Sequence, residues 1–221
     1  MKEFLRKKNI IFSAKRYGID ALGAMAQGLF ASLLIGTIIS TLGEQLGIGI
    51  LVTVGGYAKG ATGAAMAISI GVALQCPPLV LFSLAAVGMA ANELGGAGGP
   101  LAVLVVTIFA AEFGKLVSKE TKIDILVTPA VTILIGVLIA EAVGPAVSAF
   151  MTGFGNVIMS ATEMQPLLMG VIVAVLVGIA LTLPISSAAI CMMLGLSGLA
   201  GGAATVGCCC QMVGFAVMSY R

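Results

Sequence analysis

Seven apolar stretches, separated by short polar or glycine-rich breaks, set the pattern of this chain. They run over roughly 20–42, 48–74, 77–93, 100–117, 124–147, 166–184 and 187–218. Each is close to the ~20 residues that an α-helix needs to cross the hydrocarbon core of a bilayer. The segment ends carry helix punctuation. GEQLG closes the first, the Pro77-Pro78 pair opens the third, and GGAGGP (95–100) separates the third from the fourth. The stretch 148–165, SAFMTGFGNVIMSATEMQ, is less hydrophobic and is expected to lie along the membrane interface. The pattern predicts an all-α polytopic membrane protein of about seven transmembrane helices. The short alternating segments of a membrane β-barrel are not seen.

The pattern also repeats. At an offset of 142 residues, QGLFASLLIGTIIST (27–41) falls on MGVIVAVLVGIALTL (169–183) without a gap. Gly28, Leu34 and Gly36 then meet Gly170, Leu176 and Gly178. In the same register GYAKGA (56–61) falls on GLAGGA (198–203). A first copy over 1–147 holds about five spans behind a basic N-terminus. The stretch 148–165 acts as a connector, and 166–221 holds about two spans of a second copy. An odd number of spans inverts the second copy, which is a common plan among secondary transporters. On this plan the chain is part of a 5+5 inverted repeat. Three spans of the second copy are missing, so the 221 residues are expected to be a truncated form of a longer protein.

Composition agrees with the class. The chain is 60% hydrophobic and 9% charged, against roughly 25% charged in soluble domains. Charge matters here by position. Lys2, Arg6, Lys7, Lys8, Lys15 and Arg16 crowd the N-terminus, and Lys115, Lys119 and Lys122 crowd the loop after the fourth span. An even number of spans separates the two clusters, so both fall on the cytoplasmic side if basic loops stay inside. The basic n-region is too long and no A-x-A-type site follows a short apolar run, so no cleavable signal peptide is expected. Nothing else on the chain supports nucleic-acid binding by the basic arm.

VGGYAKGATGAA (54–65) breaks the second apolar stretch with four glycines and a lysine, the break itself running over Gly55–Gly63, and GLSGLAGG (Gly195–Gly202) breaks the seventh. Paired glycine breaks at matching repeat positions point to a transporter's binding site. Lys59 is the one basic residue between 17 and 114. A lysine at bilayer depth costs about 2.5–3.5 kcal/mol on insertion scales and so marks a function, unless it snorkels to the surface. The candidate substrate-binding residues are Tyr57, Lys59, Thr62, Ser197 and Thr205, with Glu141 either an acid that binds a proton, an ion or a sugar hydroxyl, or an outer-interface residue near Gly144-Pro145. Glu112, one turn from the basic loop, is expected to pair with Lys115. Asp20 is expected at the interface or as a helix cap. Gln75 is a candidate polar lining. Asn92 and Glu93 lie at a solvated turn or an outer gate.

Some chemistries are absent. Histidine is missing, which excludes any catalytic triad that uses it. No phosphate-binding loop, nucleophile elbow or dinucleotide fingerprint fits its required context. Cys208, Cys209 and Cys210 are consecutive, and consecutive helical residues point in different directions, so they cannot converge on a metal. No metal, cofactor or catalytic residue is assigned.

NIIFSAKRYGIDALGAMAQGLFASLLIGTIISTLGEQLG, GGYAKGATGAAMAISIG and KIDILVTPAVTILIGVLIA together resemble bacterial phosphotransferase-system IIC-like membrane proteins, a branch distinct from the glucose-type permeases. The resemblance runs the length of the chain. It implies a plasma-membrane sugar permease that works with cytoplasmic IIA and IIB phosphocarriers. A IIB phosphocysteine or phosphohistidine would donate the phosphoryl group. The glutamate–histidine pattern of glucose-type members cannot transfer, because this chain has no histidine. Two other classes stay open: an ion- or proton-coupled carrier of a small anion, and a non-transporting membrane sensor. A homodimer stays open as well.

Overall fold

The computed structural model describes residues 8–10, 13–180 and 198–220. They form helices throughout, and no strand occurs among them. Helix α1 spans Arg16–Leu46 and contains two π-helical turns, Arg16–Asp20 and Phe30–Leu34. It ends at Gly47, whose left-handed backbone (φ +68°) closes the helix with an N–H bond to the Gly43 carbonyl. The chain then doubles back through α2 (Gly49–Gly60) and α3 (Thr62–Ala73). α2 packs on the second half of α1, and α3 packs on the first half.

Helices α4 (Pro78–Gly95) and α5 (Gly99–Val117) form a hairpin around the Gly96–Gly98 turn. The proline at the start of α4 fits there, because first-turn N–H groups have no partner in the helix. Helix α6 runs from Asp124 to Met164 without interruption. α7 (Pro166–Ala180) and α8 (Gly198–Ser219) pack on each other. α1, α4, α5, α6 up to Gly153, and α8 are long and apolar enough to cross a membrane, and α3 and residues 166–175 are shorter apolar helices. The expected all-α polytopic architecture is present. The expected connector, 148–165, continues α6 in helical form as far as Met164.

The core lies where α1, α3, α4, α5 and α6 meet. Met25, Leu29, Met66, Ile70, Leu84, Val87, Val103 and Val106 are almost fully buried there. Small residues let the backbones approach closely, as packing between membrane helices requires. A Cβ added to Gly63 would strike the carbonyl of Gly88, and one added to Gly28 would strike Ala65. One added to Gly114 would meet Thr132 and Val80. The second helix pair repeats this device, since a Cβ on Gly207 would meet the backbone of Ala174. At the repeat offset Gly207 falls on Ala65, and Ala174 falls on Ser32, one turn from Gly28.

Candidate functional site

Of the four glycines in VGGYAKGATGAA, two have a packing role. Gly55 lies against Gly36 and Ser40 of α1, and Gly63 lies against Gly88 of α4. Nothing stands within 4 Å of where a Cβ would sit on Gly56 or Gly60. The break itself is slight. It is confined to Ala61 (φ −82°, ψ 1°), whose N–H still reaches the Tyr57 carbonyl at 3.1 Å. The Thr62 hydroxyl donates to the Lys59 carbonyl at 2.7 Å. Thr62 is buried, and its hydroxyl adds a donor to a main-chain carbonyl at the kink.

Tyr57 and Lys59 are exposed. The aliphatic stem of Lys59 lies over Gly36, with Cγ at the place a side chain there would occupy. Carrying a charge on an apolar stem in this way is how lysines reach polar surroundings. Lys59 sits one turn beyond the Gly63–Gly88 crossing, level with the last turns of α4. Glu141 is also exposed and lies near the same end, because the neighbouring Gly144 packs on Leu94. Pro145 has no N–H, so the Glu141 carbonyl lacks its usual helical donor. Among the described residues neither Lys59 nor Glu141 has an ion-pair or side-chain hydrogen-bond partner. Thr205 is exposed on α8 and donates to the Gly201 carbonyl at 2.9 Å. Ser197 lies outside the described residues. The second break differs from the first: α8 starts at Gly198 with φ +54°, a conformation that favours glycine. Gly56, its repeat partner, is in regular helix. Among the described residues, the Thr62 hydroxyl bond to the Lys59 carbonyl is the one side-chain bond that joins two sequence-predicted site residues, and no two of their side chains bond each other.

The opposite end of the bundle gathers the polar network. Residues 8–10 and 13–17, the Leu74–Pro77 turn and the loop after α5 meet there. Lys8 bonds the Ser118 carbonyl and pairs with Glu120. Asn9 donates to Gln75 at 2.6 Å, and Arg16 bonds the Leu74 carbonyl. Lys115, 1% exposed, pairs with Glu112 at 3.0 Å, and the Tyr17 hydroxyl donates to the same carboxylate at 3.1 Å. The expected Glu112–Lys115 pair and the polar role of Gln75 are therefore present. Asp20 lies inside the π-helical start of α1 and makes no side-chain cap bond.

Asn9, Gln75 and Lys119 all hold positive φ, near +57°, +55° and +63°. They line one cavity of about 490 Å³ together with Lys8, Lys115 and Glu120. Left-handed non-glycine residues store strain and cluster at functional sites. Sequence patterns gave no sign of this convergence, which depends on the packing of three separate loops. In the turn, burial pushes the Cys76 thiol up to about 11, opposed by the nearby Lys115 charge.

An apolar bundle with five helices of membrane-crossing length among the described residues, and one basic, cavity-bearing end, suits a membrane transport component. The sequence profile described as "Phosphotransferase system, EIIC" matches residues 19–221. The chain belongs to the phosphotransferase-system EIIC family. This EIIC chain is accordingly a multi-pass membrane protein and a permease component of such a system. Comparison with curated proteins and with solved structures gives no match.

Proposed function

We propose that this EIIC chain conducts a sugar across the bacterial plasma membrane in a phosphoenolpyruvate-dependent system, with its N-terminus in the cytoplasm. The family match over 19–221 carries the proposal. The charge distribution supports the orientation. Lys8, Arg16, Lys115 and Lys119 share one end of the bundle, and the Gly95–Gly99 turn at the other end has no lysine or arginine. Basic segments stay on the cytoplasmic side. That end is the one a cytoplasmic IIB phosphocarrier, charged by IIA, would reach.

In this proposal the glycine breaks supply part of the substrate path. Lys59 and Glu141 are the ionic groups near the first break and Thr205 follows the second; Tyr57, Thr62 and Ser197 complete the set. Unpaired ionisable groups on apolar helices are costly unless they meet ligand or water. The 5+5 inverted repeat and the division at 147 and 166 belong to the same proposal. The like packing of Gly28 on Ala65 and of Gly207 on Ala174 supports it.

The unpaired Lys59 favours one rival, a carrier of a small anion that works without phosphocarriers. Membrane vesicles holding the chain, supplied with IIA, IIB and labelled sugars, separate the two. Uptake that requires phosphoenolpyruvate supports the permease. Uptake of an organic anion that follows a proton or sodium gradient, with no need for phosphoenolpyruvate, overturns it.

A further inference from the structure

A groove runs between α1 and α3, with a volume of about 520 Å³. Its polar lining is Asp20, Gln27 and Ser69, set among Gly23, Ala24 and Val72. Along α1, Asp20 is about 6 Å and Gln27 about 16 Å from Arg16 at 1.5 Å per residue. Gln27 therefore lies about three turns into an apolar helix, roughly a third of its length from Arg16.

Two observations set these side chains apart. First, Asp20, Gln27 and Ser69 have no side-chain hydrogen bond or ion pair among the described residues. Serines and threonines in apolar helices can quench their hydroxyls on the carbonyl one turn back. Ser32, Thr37, Thr53, Ser83, Thr132 and Thr205 all do so. Ser69 does not. Unquenched polar groups facing lipid would each cost several kcal/mol. Second, the helix pair α7–α8 carries its own groove of about 430 Å³, lined by Gln211. Gln211 occupies the repeat position of Ser69. The two grooves share their lining positions on the second helix of each pair, where Ser69 and Gln211 are both uncharged hydrogen-bonding side chains, and differ on the first.

We infer that the α1–α3 groove is a hydrated vestibule that binds a neutral polyhydroxylated solute through Asp20, Gln27 and Ser69. This rests on the permease reading above and gives it a location. An amide and a hydroxyl each donate and accept, as sugar hydroxyls do, and a carboxylate accepts two. The lining contains no cation, so an anionic solute has no partner in it. Its lining runs along α1 from Ile19, near the basic end of the bundle, to Gln27, and along α3 from Ala73 to Ile68.

The test is thiol labelling in proteoliposomes, with the full chain stripped of its native cysteines. Gln27→Cys and Val72→Cys report on the groove. Both positions are exposed in the structure, so neither exchange disturbs the core. Phe30→Cys, exposed on α1 outside the groove lining, is the control. Thiols in water ionise and react, whereas those in apolar surroundings stay inert, so a membrane-impermeant cationic methanethiosulfonate should label the groove thiols at least about tenfold faster than Phe30→Cys. Sorbitol should slow that labelling, and succinate should not.

Labelling no faster than the control means a lipid-filled groove and overturns the inference. Fast labelling that sorbitol does not slow overturns the solute site, and protection by succinate instead overturns the ligand class. The permease reading is judged separately. Phosphoenolpyruvate-dependent uptake with unlabelled groove thiols removes the vestibule alone. Sorbitol protection without phosphoenolpyruvate dependence removes the permease reading alone.

Discussion

The ammonium of Lys115 lies 3.0 Å from Oε1 of Glu112, and only 1% of the lysine side chain is exposed. A buried pair is sensitive to losing one member, because the other charge stays buried and uncompensated. Lys115→Met should therefore destabilise the protein by about 3–5 kcal/mol. Lys115→Met combined with Glu112→Leu should recover much of that loss. Thermal unfolding in detergent checks both variants, and a double variant no more stable than the single one would refute a paired role.

The glycines of the first break should separate into two groups. Gly63→Ala forces a methyl into the Gly88 backbone and should cost about 1–3 kcal/mol. Gly60→Ala meets nothing within 4 Å and should be neutral or gain up to about 1 kcal/mol from helix propensity. Size-exclusion profiles after graded heating rank the two. Equal losses would contradict the packing described for Gly63.

The Cys76 thiol, held near 11 by burial, should stay protonated and unreactive at neutral pH. The exposed Cys209 should react with maleimide under the same conditions. Because the folded value is raised above the ordinary thiol value of 9.0, the group favours the folded state fully below pH 9. That contribution is lost as pH rises from 9 to 11. Mass spectrometry of labelled peptides over this range follows the reactivity. Fast modification of Cys76 at pH 7 would show that it is not buried.

Thr62→Val removes the donor to the Lys59 carbonyl and should cost about 1 kcal/mol, with Thr62→Ser restoring most of it. Lys59→Gln and Glu141→Gln should change stability by less than about 0.5 kcal/mol, as surface exchanges do. Each should still lower substrate uptake in vesicles by at least about tenfold, the effect of losing one charged contact. Unchanged uptake in both would remove them from the substrate path.

Much of the fold is legible in the sequence, because apolar length and glycine or proline punctuation are local signals. The third, fourth and fifth spans match α4, α5 and the first part of α6 to within a few residues. The Glu112–Lys115 pair is legible for the same reason, since residues three apart share a helix face. The continuation of α6 to Met164 is not legible. Glycines and threonine dilute the hydropathy of 148–165, but they leave the helical ladder intact. Lys59 shows a second limit. Sequence places it within an apolar stretch, but only the crossing of Gly63 on Gly88 sets its depth. The Asn9–Gln75–Lys119 cavity and the α1–α3 groove join residues far apart in the chain, which no local pattern links.

Helix α6 also has a mechanical consequence. From Pro145 to Met164 it extends about 28 Å at 1.5 Å per residue and leads directly into the α7–α8 pair. Over this stretch the backbone ladder is interrupted at Pro145, where the Glu141 carbonyl has no helical donor, and prolines are the usual hinges of long helices. A bend of about 10° at this hinge swings Met164 through about 5 Å. A bend there would make helix α6 a lever arm, turning a small angular change beside Glu141 into a large displacement of the second helix pair.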